Sequence, residues 1–248
     1  MFQTGLRHHL SMRIVVLLPA FNEGRRIESV LRSLPSEIQG HELLPIVIDD
    51  GSKDDTSASA KRVSGVRVLR HRTNLGKGAA AKTGCEAALQ VGADIIVLMD
   101  ADGQHRSEDI AHLVEPLLNG DERLVIGSRD RTGSMPIMMR LGNTGLTLVS
   151  RILFGIKVRD SQSGFRALPA SVYPKIAWLS ANYAMETEML IMAAQNKVSC
   201  VEVTIPTIYF DGYKGTTVLD GLRILKILII WKLSWHREFR SSDSFSVS

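Results

Sequence analysis

The chain reads as an α/β protein, a mainly parallel sheet with helices on both faces, and three observations predict it. Short apolar runs alternate with helical stretches from residue 14 to residue 126, the order that produces parallel strands joined by crossover helices. The runs are nearly continuous in apolar residues instead of alternating with polar ones, as strands covered on both faces are. Four of them end in polar clusters, and such sheets bind ligands just outside the carboxyl ends of their strands.

The first strand is Ile14–Leu18. It is too short for the apolar core of a signal sequence and is soon followed by Asn22 and Glu23. Gly24–Leu34 follows as a helix with Ile27, Val30, Leu31 and Leu34 on one stripe. Leu43–Ile48 is the second strand, with Pro45 near its beginning, and Thr56–Val63 is a helix that Asp54 or Asp55 can cap. Val66–Leu69 is a third strand, and Gly78–Val91 is an alanine-rich helix of high intrinsic propensity. Asp94–Met99 is the fourth strand, Ser107–Leu118 a helix opening on Ser-Glu-Asp, and Leu124–Ile126 the fifth strand. The second half is less regular. Pro136–Phe154 is expected as a helix with Leu146, Val149 and Leu153 inward, and Asp160–Ala167 as a polar loop. Glu186–Gln195 reads as a helix and Val201–Ile205 as a strand stopped by Pro206; Val218–Trp235 reads as a last helix and Ser241–Ser248 as a loose tail. No repeat or linker is evident.

At 248 residues, 44% hydrophobic and 23% charged, the chain suits a folded protein and excludes extensive disorder. Its formal charge of +4 is unevenly spread. Arg129, Arg131, Arg140, Arg151, Lys157 and Arg159 lie in one segment against Asp130 alone. Such a segment suits phosphates of nucleotide, lipid or nucleic acid. Aromatic residues are few and not interleaved with it, which argues against a platform for single-stranded nucleic acid. Cys85 and Cys200 lack metal-ligand spacing and read as core thiols of a reduced, cytoplasmic protein. The nearest approach to an apolar run of about 20 residues is broken by Arg140 and Arg151. No membrane span is expected.

The polar clusters carry the chemistry. Asp100-Ala101-Asp102 follows the fourth strand and sets two carboxylates on one side of an extended segment. That suits Mg²⁺ or Mn²⁺ bridging a diphosphate, with Gln104 adding a third oxygen. A bare Asp-x-Asp also fits a solvated turn; its place on a rim with three other polar loops favours the metal. His105 is expected beside this site or at the surface, not as a ligand. Asp49-Asp50-Gly51-Ser52 follows the second strand, where one carboxylate can meet a base or ribose, or simply cap a turn. Lys77 in Asn74-Leu75-Gly76-Lys77-Gly78 can hold an anion with the exposed amides beside it, although the spacing fits a plain glycine-rich loop equally well.

Taken together, Leu18-Pro19-Ala20-Phe21-Asn22-Glu23, Ile48-Asp49-Asp50-Gly51-Ser52, Asn74–Gly78 and Asp100-Ala101-Asp102-Gly103-Gln104-His105 resemble the family-2 glycosyltransferases of the GT-A fold. Gly127-Ser128-Arg129 and Asp160-Ser161-Gln162-Ser163-Gly164-Phe165-Arg166 extend the match, which covers roughly residues 12–215 and within the family is most similar to the polyprenyl-phosphate (dolichol-phosphate) mannose or glucose synthases. The resemblance implies a GT-A domain over residues 1–217 and a carboxy-terminal helix and tail over 218–248. It implies that Pro19, Ala20, Asn22 and Glu23 contact the donor nucleotide, that Asp50 holds the base and ribose, and that Lys77, Ala101 and Lys214 belong to the same donor site. Asp100, Asp102 and Gln104 match the metal and diphosphate site, and Arg129 and Arg140 match residues that receive the acceptor's phosphate. Lys214 falls in Tyr209–Thr217, a loop with no serine where the family often has one. The Gln-x-x-Arg-Trp signature of processive polysaccharide synthases is absent.

The reaction so implied is inverting, metal-dependent transfer of a hexose from a nucleoside diphosphate sugar to a polyprenyl phosphate. An acceptor phosphate is already ionised and needs no strong base. A sugar hydroxyl would need one, for which Asp160, Glu186 and Glu188 are the candidates. Transfer to a hydroxyl, a nucleotidyltransferase and a non-catalytic nucleotide-sugar-binding protein are the competing readings. Apolar residues on several faces of Leu219–Trp235, with Trp231, Trp235, Arg237 and Arg240 near its end, suit a helix lying in a membrane interface. The expectation is a peripheral protein on the cytoplasmic face of a membrane.

Overall fold

The structure is a computed structural model that describes residues 11–129, 137–182 and 184–206, with side chains described throughout except at 137–143. Its centre is β1 (Arg13–Ala20), in which Ile14 through Leu18 have no exposed surface. Successive side chains of a strand point to opposite faces. Ile14, Val16 and Leu18 therefore enter one core, and Val15 and Leu17 the other. Each such side chain contributes roughly 1.5–3 kcal/mol relative to exposure. A strand apolar on both faces is stable only with layers on both sides.

The remaining elements supply those layers. They are, in order, α1 (Ile27–Ser33), β2 (Glu37–Ile38), β3 (His41–Asp49), α2 (Thr56–Lys61), β4 (Arg67–Arg70), α3 (Lys77–Gln90) and β5 (Ile95–Leu98), then α4 (Asp109–Leu118), β6 (Arg123–Arg129), α5 (Ile137–Phe154), β7 (Arg166–Pro169), α6 (Tyr173–Ile176), α7 (Met185–Gln195) and β8 (Ser199–Ile205). Alanines of α3 and the apolar side of α7 pack on one face of the sheet with Trp178, while α1 and α4 cover the other through Ile27, Val30, Ile110 and Leu113. Cys85 lies in the first core and Cys200 is half-buried, both as free thiols. Among the described residues no helix is long and apolar enough to cross a membrane.

The strands form one sheet in the order β2-β3-β1-β5-β7-β6-β8, with β4 on the outer side of β3. β1, β3 and β5 are parallel. β6 runs the same way, because β7 is antiparallel to both β5 and β6. The carboxyl ends of β1, β3, β5 and β6 thus share one rim, as the polar clusters predict.

The main departure from expectation is β7, since a polar loop is expected over Asp160–Ala167. Its first residue, Arg166, is fully buried in an inner strand. Its guanidinium donates to the carbonyls of Ser161, Ser163 and Glu186. A short strand that opens on arginine and ends on proline carries no apolar period, so its burial depends on carbonyl partners supplied by the fold. β2 and α6, of two and four residues, are likewise not anticipated. α1 begins at Ile27, because Gly24 N–H is taken by Asp54 Oδ2 and Glu23 O accepts the N–H of Arg26 and Ile27 in a turn. The boundary at 217/218, the expected helix Val218–Trp235 and the tail lie outside the described residues.

Candidate active site

The rim opens into a cleft of about 420 Å³. Its walls include Pro19, Ala20, Asn22 and Glu23 after β1, Asp50 after β3, and Lys77 at the start of α3; Asp100, Ala101, Asp102 and Gln104 close it after β5. Every donor-site or metal-site residue expected from the sequence lines this cleft except Lys214, which lies outside the described residues.

Backbone and side chains lace the first two loops into one unit. Asn22 stands at φ 58°, a left-handed conformation that asparagine tolerates better than most residues. Its N–H donates to Ser52 Oγ at 2.9 Å and its Oδ1 accepts from Lys53 N–H at 2.9 Å. Glu23 N–H donates to Thr56 Oγ1 at 2.9 Å. The two acids at the end of β3 divide the work. Asp49, fully buried, accepts from Ser52 N–H at 2.8 Å and from the Ser57 hydroxyl, which closes the turn. Asp50 faces the cleft and accepts the N–H of Leu75 at 2.9 Å and of Gly76 at 2.7 Å, with His71 Nδ1 at 2.7 Å. A carboxylate has about four lone-pair sites, so Asp50 anchors the glycine-rich loop and keeps capacity for a further donor.

Gly76 adopts φ 99° and a Cβ there would collide with Ala181 O and Asn182 Oδ1. That close approach fixes where α3 starts, and with it Lys77. The lysine sits between two carboxylates instead of facing open solvent. Its Nζ is 2.6 Å from Asp100 Oδ1 and 2.9 Å from Glu186 Oε1. Burial works against its charge, but Asp100 and Glu186 outweigh it and hold the ammonium well above the usual lysine range. Burial would likewise raise Asp100, yet Lys77 and then His105 keep that carboxyl well below the usual carboxylate range. Asp102 goes the other way, raised by burial and by the charge of Asp100.

His105 lies beside the acidic pair, as expected. It is buried, stacks on Phe165 with ring centroids 4.7 Å apart, and brings Nε2 to 3.8 Å from Asp100 Oδ2. Gly164, in the segment before β7, abuts the same carboxylate. A Cβ on it would stand 2.7 Å from Lys77 Nζ and 2.8 Å from Asp100 Oδ2.

The donor set suits a hard divalent cation. Two carboxylates and the oxygen of one carboxamide are hard ligands, and the two acids stand close enough for the charge of Asp100 to add to burial in raising Asp102. No group of three His, Cys, Asp or Glu side chains forms a metal cage among the described residues. Asp100, Asp102 and Gln104 are the residues that could hold Mg²⁺ or Mn²⁺, with water and substrate phosphate oxygens completing the shell.

Farther along the rim, Arg129 at the end of β6 forms a two-pronged ion pair with Asp160. Neither side chain lines the cleft just described. The other two acids weighed as bases, Glu186 and Glu188, lie in the first turn of α7. Glu188 accepts the N–H of Leu179 at 2.7 Å and of Ser180 at 2.8 Å. Arg140 falls where side chains are not described.

The sequence profile described as "Glycosyl transferase family 2" matches residues 15–174, which carry this rim. The chain belongs to glycosyltransferase family 2. Among its relatives, the UDP-N-acetylglucosamine–dolichyl-phosphate N-acetylglucosaminyltransferase of Methanococcus voltae is 35% identical, over 89% of this chain and 96% of that one. The dolichol-phosphate mannosyltransferase of Pyrococcus furiosus is 30% identical, over 95% of this chain and 68% of that one. Among solved structures, glucosyl-3-phosphoglycerate synthase of Mycobacterium tuberculosis in complex with Mg²⁺ and UDP superposes with a TM-score of 0.70 at 25% identity, covering 89% of this chain and 79% of that one.

The family 2 glycosyltransferase also places in its cleft residues that the sequence reading did not assign to it, among them Phe21, Arg26 and Asn182. Phe21 stands in the stretch Pro19–Glu23 at the carboxyl end of β1. Asn182 arrives from a loop about a hundred residues downstream of Gly76, and no local pattern signals it.

Proposed function

We propose that this glycosyltransferase moves a hexose from a nucleoside diphosphate sugar to a polyprenyl phosphate, with inversion at the anomeric carbon and Mg²⁺ or Mn²⁺ held by Asp100, Asp102 and Gln104. One observation carries the choice of acceptor: of the three carboxylates weighed as a base for a hydroxyl, two have both oxygens committed and the third is buried against an ammonium. Asp160 gives both oxygens to Arg129, and Glu188 gives both to backbone amides. Glu186 is buried against Lys77. A hydroxyl acceptor needs a general base, whereas a phosphate ester is ionised near neutral pH. The names of the two archaeal relatives, both of which specify dolichyl phosphate, support the same acceptor.

On this reading the loop Pro19–Glu23 and Asp50 take the nucleoside, Ala101 packs beside the diphosphate, and Lys214 closes over the donor. Asp100, Asp102 and Gln104 would hold the divalent ion, which when bound would supply positive charge to the departing diphosphate as the sugar gains oxocarbenium character. Arg129, its guanidinium oriented by Asp160, and Arg140 align the acceptor phosphate and screen its repulsion from the donor. Contact with lipid follows from the acceptor, and the exposed Leu148 and Ile152 beside Arg151 on α5 suit a peripheral approach to a membrane.

The test is a donor screen with labelled UDP- and GDP-sugars, offering polyprenyl phosphate or the matching polyprenol, with and without Mn²⁺. Transfer to the phosphate alone, dependent on the metal and lost in Asp102→Ala, is the expected result. Transfer to the alcohol alone overturns the acceptor, and donor binding without transfer to any lipid phosphate favours a binding protein.

A further inference from the structure

Lys77 holds two carboxylates at once, and the second of them, Glu186, is left incomplete. Its side chain is 4% exposed, one oxygen meets Lys77 Nζ, and Oε2 has no hydrogen-bond partner among the described residues. Buried acceptors are rarely left open, because the desolvation is not recovered. Here the open acceptor belongs to a carboxylate that already holds an ammonium, and that ammonium is also bound to Asp100. An ammonium carries three donors on a flexible stem with no fixed planar geometry. It can exchange one carboxylate oxygen for another by a small shift.

The charges point the same way. Asp100, Asp102 and Glu186 outnumber the cations beside them, Lys77 and the buried Arg166, and leave an excess of negative charge that a divalent cation would offset. Without Glu186, Lys77 would have Asp100 as its one ion-pair partner among the described residues and would compete with the incoming ion for it. The backbone that carries this carboxylate is held in place. Glu186 O accepts from Arg166 Nη1 at 2.7 Å, and the next residue, Thr187, accepts from Gln162 Nε2 at 2.8 Å. These contacts tie the start of α7 to the same segment that brings Gly164 against Asp100.

We propose that Glu186 is a positioning residue that works through Lys77. When a divalent ion takes Asp100, the ammonium passes its N–H from Asp100 Oδ1 to the open Glu186 Oε2. The inference rests on the reading that Asp100 and Asp102 hold that ion.

The experiment titrates Mn²⁺ into the full, EDTA-stripped chain with no donor present, following the signal of free aqueous Mn²⁺ by electron paramagnetic resonance. Circular dichroism establishes which variants are folded. Lys77→Met removes the competitor and is expected to tighten Mn²⁺ binding about tenfold, while Glu186→Gln is expected to weaken it about tenfold. Adding Lys77→Met to Glu186→Gln should restore the affinity. If one single variant does not fold, the other still decides. Wild-type binding that is abolished by Asp102→Ala but unchanged by Lys77→Met or Glu186→Gln overturns this inference alone. A loss in Glu186→Gln that Lys77→Met fails to reverse also overturns it, since Glu186 would then be a ligand or a prop. Failure of the wild-type chain to bind Mn²⁺ overturns the metal reading and this inference together.

Discussion

Arg129 and Asp160 meet as a buried two-pronged ion pair, Nε to Oδ2 at 2.7 Å and Nη2 to Oδ1 at 2.8 Å, with side chains 9% and 2% exposed. The pair joins the end of β6 to the segment that leads into β7. That segment is in turn bound to β8, because the N–H groups of Arg159 and Asp160 both donate to Glu202 Oε1. The guanidinium plane is therefore set by two strands, and any anion it receives meets a fixed geometry.

Breaking a buried pair by removing one partner costs about 3–5 kcal/mol, because the other charge stays buried. Arg129→Ala is therefore expected to lower the melting temperature as well as activity. Under conditions where the variant remains folded, the defect should fall on the acceptor, as a raised KM for polyprenyl phosphate with donor affinity kept. A pure donor-binding defect would remove Arg129 from the acceptor side.

Gly164→Ala tests the donor side with a single methyl group. Its Cβ would press on Lys77 Nζ and Asp100 Oδ2 at distances real Cβ atoms do not show, so one of the two must move. Transfer is expected to fall at least tenfold, the scale of about 1.4 kcal/mol in the barrier, while far-ultraviolet circular dichroism stays unchanged. Wild-type turnover in this variant would mean that the placement of Asp100 and Lys77 against Gly164 does not limit transfer.

The legibility of this fold follows the chemistry of each segment. β1 and β5 are readable because residues buried on two faces are apolar almost without exception, and the rim is readable because carboxylates so seldom follow such runs. β7 is not, since its inner position rests on Arg166, whose burial depends on three carbonyls and holds it below the usual arginine range. The cleft residues given by loops after strands stand in short motifs. Asn182 reaches the site through the packing of the loop before α7 on Gly76 and Gly78, contacts between residues about a hundred positions apart, and Glu186 follows that loop into the first turn of α7. Asp160 shows the limit from the other direction: the sequence offers it as a base, and the structure gives both its oxygens to Arg129.

Glu188 supports the site from behind. It takes the N–H groups of Leu179 and Ser180, in the loop whose Ala181 O accepts from Ala79 N–H at 3.0 Å. Trp178 Nε1 donates to Gly78 O at 2.9 Å from the same loop. Glu188→Ala strands two donors, at about 1–3 kcal/mol each if they stay buried. The expected result is a lower urea midpoint and weaker nucleotide-sugar binding, both partly recovered in Glu188→Gln. Unaltered donor affinity in a destabilised Glu188→Ala chain would detach this loop from the site.

Asp54 gives the site a pH dependence with a definite sign. Burial tends to raise its pKa, but the Thr56 hydroxyl and the N–H groups of Gly24 and Thr56 prevail and hold it below the usual value. A carboxyl lowered in the folded state stabilises the protein above its unfolded pKa, and that contribution is lost as the pH falls through the folded value. Asp54 joins Gly24 in the first donor loop to the start of α2, so its protonation should loosen both. Asp54→Ala is expected to cost no more than about 0.5 kcal/mol at neutral pH, because Asp54 is exposed and solvent screens its charge, with the gap from wild type beginning to close below about pH 4. Urea unfolding at several pH values between neutral and about pH 3 reads this directly. A gap that stays constant across that range would show that the carboxylate's charge plays no part in holding the two loops together.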